Sequence, residues 1–207
     1  TAVYCSKECQ RRDWPWHKDN CKTIAAKLRS AGPRADSIFQ RQLRHWVARF
    51  DISLTCAVVP ALKLNEDFSN ISKLAMYIIM QPRPHSNFGS RFTIKSCMVV
   101  GVRQFKILME VHGPGSFDDG FEQHEKERKA MLARTNGETD FAMVGVLALN
   151  EGEHKLPIDV RFGLIFKPIC IDRWLARAPQ LVDPSIDWLA DLKRQVERDS
   201  PNRGSGN

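Results

Sequence analysis

Four side chains of metal-binding type fall within the first twenty-one residues, and their spacing constrains this chain more than any other feature. The stretch from Tyr4 to Cys21 reads C-x3-C-x7-H-x3-C, with Cys5, Cys9, His17 and Cys21 at the marked positions. Residues four apart share one face of a helical turn, so Cys5 with Cys9, and His17 with Cys21, each present a pair of donors to one point. Thiolate and imidazole suit tetrahedral Zn²⁺ at roughly 2.0–2.3 Å. The bland alternative is a helix that happens to carry three cysteines and a histidine. Two pairs at one spacing within seventeen residues argue against it. The sequence predicts a zinc ligand set.

The residues between the ligands sharpen the reading. Tyr4-Cys5-Ser6, Cys9-Gln10, Asp13-Trp14-Pro15, His17 and Cys21 together resemble the C-terminal half of the MYND-type zinc finger, in which Y-C-S-x-x-C-Q-x-x-D-W-P-x-H-x-x-x-C recurs. The resemblance covers residues 1–22. It implies two zinc ions in an interleaved arrangement, with Cys5 and Cys9 serving one ion and His17 and Cys21 the other. The family's two upstream C-x2-C pairs are missing before Thr1, so the sequence reads as a fragment that keeps two of the four ligands of each ion. Two outcomes follow for such a segment: helices without metal, or four remaining donors gathered on one ion. Small zinc modules draw roughly 10–16 kcal/mol of folding free energy from the metal. The resemblance also implies a shallow groove for short proline-containing peptides, with Gln10 and Trp14 in contact. Against this stands a structural role, in which Trp14 and Trp16 pack on the following helix and shield the metal.

Charge and cysteine usage divide the chain at the same place. Residues 1–34 hold eight Lys/Arg against three acids, whereas the other 173 residues hold 23 against 21. A basic surplus confined to one short end points to a local anionic partner or a solubilising face, and nucleic-acid binding is disfavoured because interleaved aromatics and an extended basic stripe are missing. Cys56, Cys97 and Cys170 are scattered singly through apolar segments and read as small buried hydrophobes, not as a disulfide framework. That usage, with no signal peptide and no apolar run of membrane-spanning length, predicts an intracellular protein, nucleus or cytoplasm undecided.

The remainder predicts an α+β body. Residues 1–22 are the finger segment, 23–35 a helical extension and linker broken at Ala31-Gly32-Pro33, 36–199 the α+β domain and 200–207 a loose tail. Phe39, Leu43, Trp46, Val47, Phe50, Leu54, Ala57 and Val58 recur at three- and four-residue intervals and predict one long amphipathic helix closed by Pro60. Strands are expected at 74–80, 91–102, 141–149 and 159–166, in a mixed or antiparallel sheet. Helices are expected near 104–111, 117–134, 172–177 and 184–198. This body resembles no characterised family.

Several catalytic patterns fail. His124-Glu125 begins like a metalloprotease helix, but Arg128 stands where the second histidine is needed. Gly113-Pro114-Gly115 lacks the lysine and hydroxyl of a phosphate loop, and Asp118-Asp119 suits a helix start without any metal. The histidines other than His17 stand alone in polar or loop surroundings, and residues 82–89 form a connector that could line a cleft. The reading is therefore a zinc-binding interaction protein that recruits a protein partner and is not an enzyme. A SET-type methyltransferase, which also occurs with MYND fingers, is the disfavoured alternative, because its Asn-His-Cys or Asn-His-Ser segment is missing here.

Overall fold

The apolar repeat that begins at Phe39 folds as two helices, where one was expected. In the computed structural model, which describes residues 11, 18, 38–112, 117–149, 162–181, 183 and 185–199, α1 spans Ile38–Arg49 and α2 spans Asp51–Ala61. Phe50 marks the join, with ψ moved to 17°. The hydrogen-bond ladder nevertheless continues, from Phe50 N to Trp46 O at 3.0 Å and from Leu54 N to Phe50 O at 2.8 Å. The helical period therefore runs unbroken through the bend. Pro60 lies inside α2, one residue before its end, and the chain then leaves through Lys63 at φ 53°.

The chain divides into two units, Thr1–Asp36 and Ser37–Asn207, and the fold described is that of the second. After a single helical turn, α3 at Asn70–Lys73, come β1 (Leu74–Pro82) and β2 (Phe92–Gly101). Helices α4 (Val102–His112) and α5 (Asp118–Thr135) follow, then β3 (Thr139–Leu149), β4 (Phe162–Asp172), two 3-10 turns at Leu175–Arg177 and Pro179–Leu181, and α6 (Trp188–Glu197). The strands form one mixed sheet in the order β2-β1-β3-β4. The outer pairs are antiparallel and β1 runs parallel to β3. A parallel pair needs a crossover, and α4 and α5 supply it.

Both sheet faces are covered. Met76, Ile78 and Met80 of β1 and Val144 and Val146 of β3 join a core with Leu43 and Trp46 of α1, Phe50 at the join, Leu54 and Val58 of α2, and Leu192 and Val196 of α6. Ala75, Tyr77, Met143 and Leu147 face the opposite way, against Phe105 and Met109 of α4. Strands covered on two faces read as continuous apolar runs, which is why β1 and β3 were legible. Gly145 marks the tightest approach on the second face: a Cβ there would lie 2.8 Å from ring carbons of both Phe105 and Tyr77.

Two boundaries differ from expectation. Strand β4 runs on to Asp172 through Pro168, and the helix expected at 172–177 is a 3-10 turn. As an edge strand, β4 tolerates a residue without an N–H. Helix α6 starts at Trp188, where Asp187 accepts from Leu189 N and Ala190 N at 3.0 Å and so fixes the first turn. The expected linker 23–35, the tail 200–207 and the Gly113–Gly115 turn lie outside the described residues.

Candidate functional site

The predicted ligands Cys5, Cys9, His17 and Cys21, and the predicted peptide contacts Gln10 and Trp14, lie outside the described residues. Within the same stretch Arg11 and Lys18 are helical and exposed. Three thiolates and an imidazole are a donor set that fits zinc by its chemistry. Among the described residues, no three His, Cys, Asp or Glu side chains gather to hold a metal.

The body's most developed polar cluster sits where the metalloprotease pattern failed. Arg128, on the sheet-facing side of α5, forks onto Asp140 at the start of β3, with Nε to Oδ1 and Nη2 to Oδ2 both at 2.8 Å. Asp140 Oδ1 also accepts from Phe141 N at 2.7 Å. The hydrogen bonds that Arg128 donates to Asp140 raise the Arg128 pKa above its ordinary value, against the opposing effect of burial. One turn earlier, His124 is 6% exposed. Its ring meets Phe166 edge-on at 5.4 Å and Phe141 at 6.0 Å, and its Nδ1 has no hydrogen-bond partner. Burial lowers its pKa below 6.5, which keeps it neutral near pH 7. A cavity of about 50 Å³ beside it also touches Ser72, Lys106 and Glu125. The expectation of isolated histidines is thus wrong at His124, which is walled by aromatics, whereas His45 of α1 is exposed, with its ring edge-on to Phe88 at 5.2 Å.

The cysteines also depart from expectation. Cys56 and Cys97 are half-buried and Cys170 is exposed. Burial pushes the Cys97 thiol up to about 12. Cys97 therefore supplies no thiolate near neutral pH.

The connector 82–89 does line a cleft, of about 410 Å³, with Phe39, Arg83, His85 and Arg91 on its walls. Its arginines serve the fold. Arg83 Nη2 donates to Val196 O at 2.7 Å and its Nε to Ser90 O at 2.8 Å, closing the last turn of α6. Arg49 Nε donates to Asp199 Oδ1 at 2.9 Å and Ser90 Oγ donates to the same oxygen. Burial alone would raise the Asp199 pKa, but these two donors hold it below the usual carboxylate range.

The body therefore presents Arg49, Arg83 and Arg128 committed to partners within the fold, and a neutral buried histidine. The family comparison falls elsewhere. Residues 1–21 match the MYND finger. A MYND-type zinc-finger segment thus stands at the amino-terminal end of this chain, ahead of the α+β unit. MYND fingers in general bind zinc and mediate protein–protein interaction. No curated protein and no solved structure matches the chain. Among the described residues, no helix is long and apolar enough to cross a membrane.

Proposed function

We propose that this protein is a non-enzymatic recruiter: the MYND segment holds zinc through Cys5, Cys9, His17 and Cys21 and captures a protein partner, with the α+β unit as its attached body. The observation that carries the reading is the finger match over residues 1–21, a span that contains all four donors. The partner surface is a short proline-containing peptide seated against Gln10 and Trp14. An indole offers a flat, rigid, largely apolar platform at low entropic cost, and a glutamine amide supplies both a donor and an acceptor for extended backbone. The non-enzymatic reading is supported by the body's chemistry, in which Arg128 is committed to Asp140 and the Cys97 thiol is held protonated.

The test is capture of proline-containing peptides from a defined array by the zinc-loaded protein, beside a Trp14→Ala variant and a chelated sample. Binding lost in both supports the reading. Equal capture by wild type and Trp14→Ala removes peptide binding through that residue.

A further inference from the structure

The sheet has two edges, β2 and β4, and the fold treats them differently. On β4, the Gln40 amide accepts from Leu164 N at 3.1 Å and donates to Leu164 O at 3.0 Å, and Pro168 has no N–H to offer. On β2, Met80 faces Ile94 and Ile79 faces Ser96, so Lys95 is the extra residue of a bulge. Beyond that bulge the strand runs from Ser96 to Gly101 with no proline and no charged side chain. Among the described residues, no strand lies on its outer side. Edge backbone of this kind presents unpaired N–H and C=O groups to an incoming strand.

Met98 and Val99 sit in the middle of this stretch, 39% and 36% exposed. Neighbouring strand residues point to opposite faces, so the edge is open on both sides at this place. The charge around it has one sign. From Phe68 to Met109 the sequence holds six Lys/Arg and no Asp or Glu, whereas the rest of residues 35–207 holds 17 against 21. Lys95 and Arg103 flank the stretch along the chain, and Lys193 of α6 acts electrostatically on Cys97 within it. Among the described residues, Arg103 and Lys193 form no ion pair.

Open edge backbone, two exposed apolar side chains and a surrounding of cations fit a strand that alternates apolar with acidic residues. We propose that the edge of β2 at Ser96–Gly101 accepts an extended acidic segment of a partner protein as a fifth strand of the sheet. In strand addition the main-chain hydrogen bonds supply affinity and the alternate side chains supply specificity. A second copy of this chain fits poorly. Pairing β2 with β2 would bring Lys95 and Arg103 of one copy alongside those of the other, and like charges across a strand pair are destabilising. A nucleic acid would answer the charge and leave the edge N–H and C=O groups unpaired. The surface uses no residue of the finger.

The experiment titrates the full chain with a capped peptide alternating valine and glutamate, and reads amide hydrogen exchange at Ser96–Gly101. The same peptide with lysine for glutamate, and an oligothymidylate, form the comparison arms. Sedimentation of the chain alone reports self-association. The expected result is a saturable slowing of exchange at these amides with the glutamate peptide, weaker as salt is raised, and roughly tenfold or more weaker binding of the lysine peptide. Met98→Glu and Arg103→Glu, both at exposed positions, each weaken the glutamate peptide by a similar factor while the unfolding midpoint stays in place. No slowing in the folded wild type, lysine and glutamate peptides binding alike, or undiminished binding in both variants would overturn the proposal. Equal slowing by the oligothymidylate, or a dimer that protects the same amides without peptide, would overturn it too.

Discussion

Arg128 and Asp140 meet as a planar fork, two hydrogen bonds of 2.8 Å joining the middle of α5 to the start of β3. The Asp140 side chain is 4% exposed and that of Arg128 21%. Removing either partner leaves the other's charge in a poorly hydrated place, which is costlier than the pair itself is stabilising. Asp140→Ala should lower stability by roughly 2–4 kcal/mol in urea unfolding. Arg128→Lys, which has no planar fork, should lose much of the same stability, and the double variant Arg128→Met/Asp140→Leu should recover part of it. A double variant as unstable as the sum of the single changes would show that the two residues act independently.

His124 gives the body a pH dependence whose sign can be stated. Burial lowers its folded pKa below 6.5, so protonation favours the unfolded chain. Its contribution to stability is complete above the unfolded value and is lost as pH falls from about 6.5 through the lowered folded value. The groups that act on it are Glu125, Glu127 and Arg128 from its own helix and Asp140 from β3; Phe141 and Phe166 carry no charge. His124→Leu removes both the titration and the unpaired nitrogen. The urea midpoint of wild type, measured relative to this variant, should fall between pH 7.5 and 5.5, and parallel midpoints would contradict the assignment.

Two glycines should respond to alanine with opposite signs. At Gly145 the new Cβ would press on Phe105 and Tyr77 at 2.8 Å, and the overpacking should cost about 1–3 kcal/mol. At Gly120, in the first turns of α5, nothing lies within 4 Å of the added carbon. Gly120→Ala should stabilise by about 0.5–1 kcal/mol through the unfolded chain's lost freedom. Thermal unfolding of both variants checks the pair.

What could be read in advance was local. The finger motif needs only spacings of four and eight residues, and β1 and β3 announce themselves because two buried faces demand an unbroken apolar run. The bend at Phe50 was hidden, since the apolar period and the hydrogen-bond ladder both pass through it. The full length of β4 was hidden by Pro168, which only its edge position permits. His124 is enclosed by Phe141 and Phe166, brought in by β3 and β4, and no window around residue 124 contains that information. Arg128 stood out in the sequence only as a missing histidine, because its partner lies twelve residues away across a turn.

The central claim is that Cys5, Cys9, His17 and Cys21 grip zinc in the native protein. Metal analysis of the protein, purified from its own host as wild type, Cys9→Ser and His17→Ala, tests it directly. The account predicts zinc in the wild type and loss of part of it, from different ions, in each variant. Wild-type protein without zinc, or zinc content indifferent to both substitutions, would contradict it.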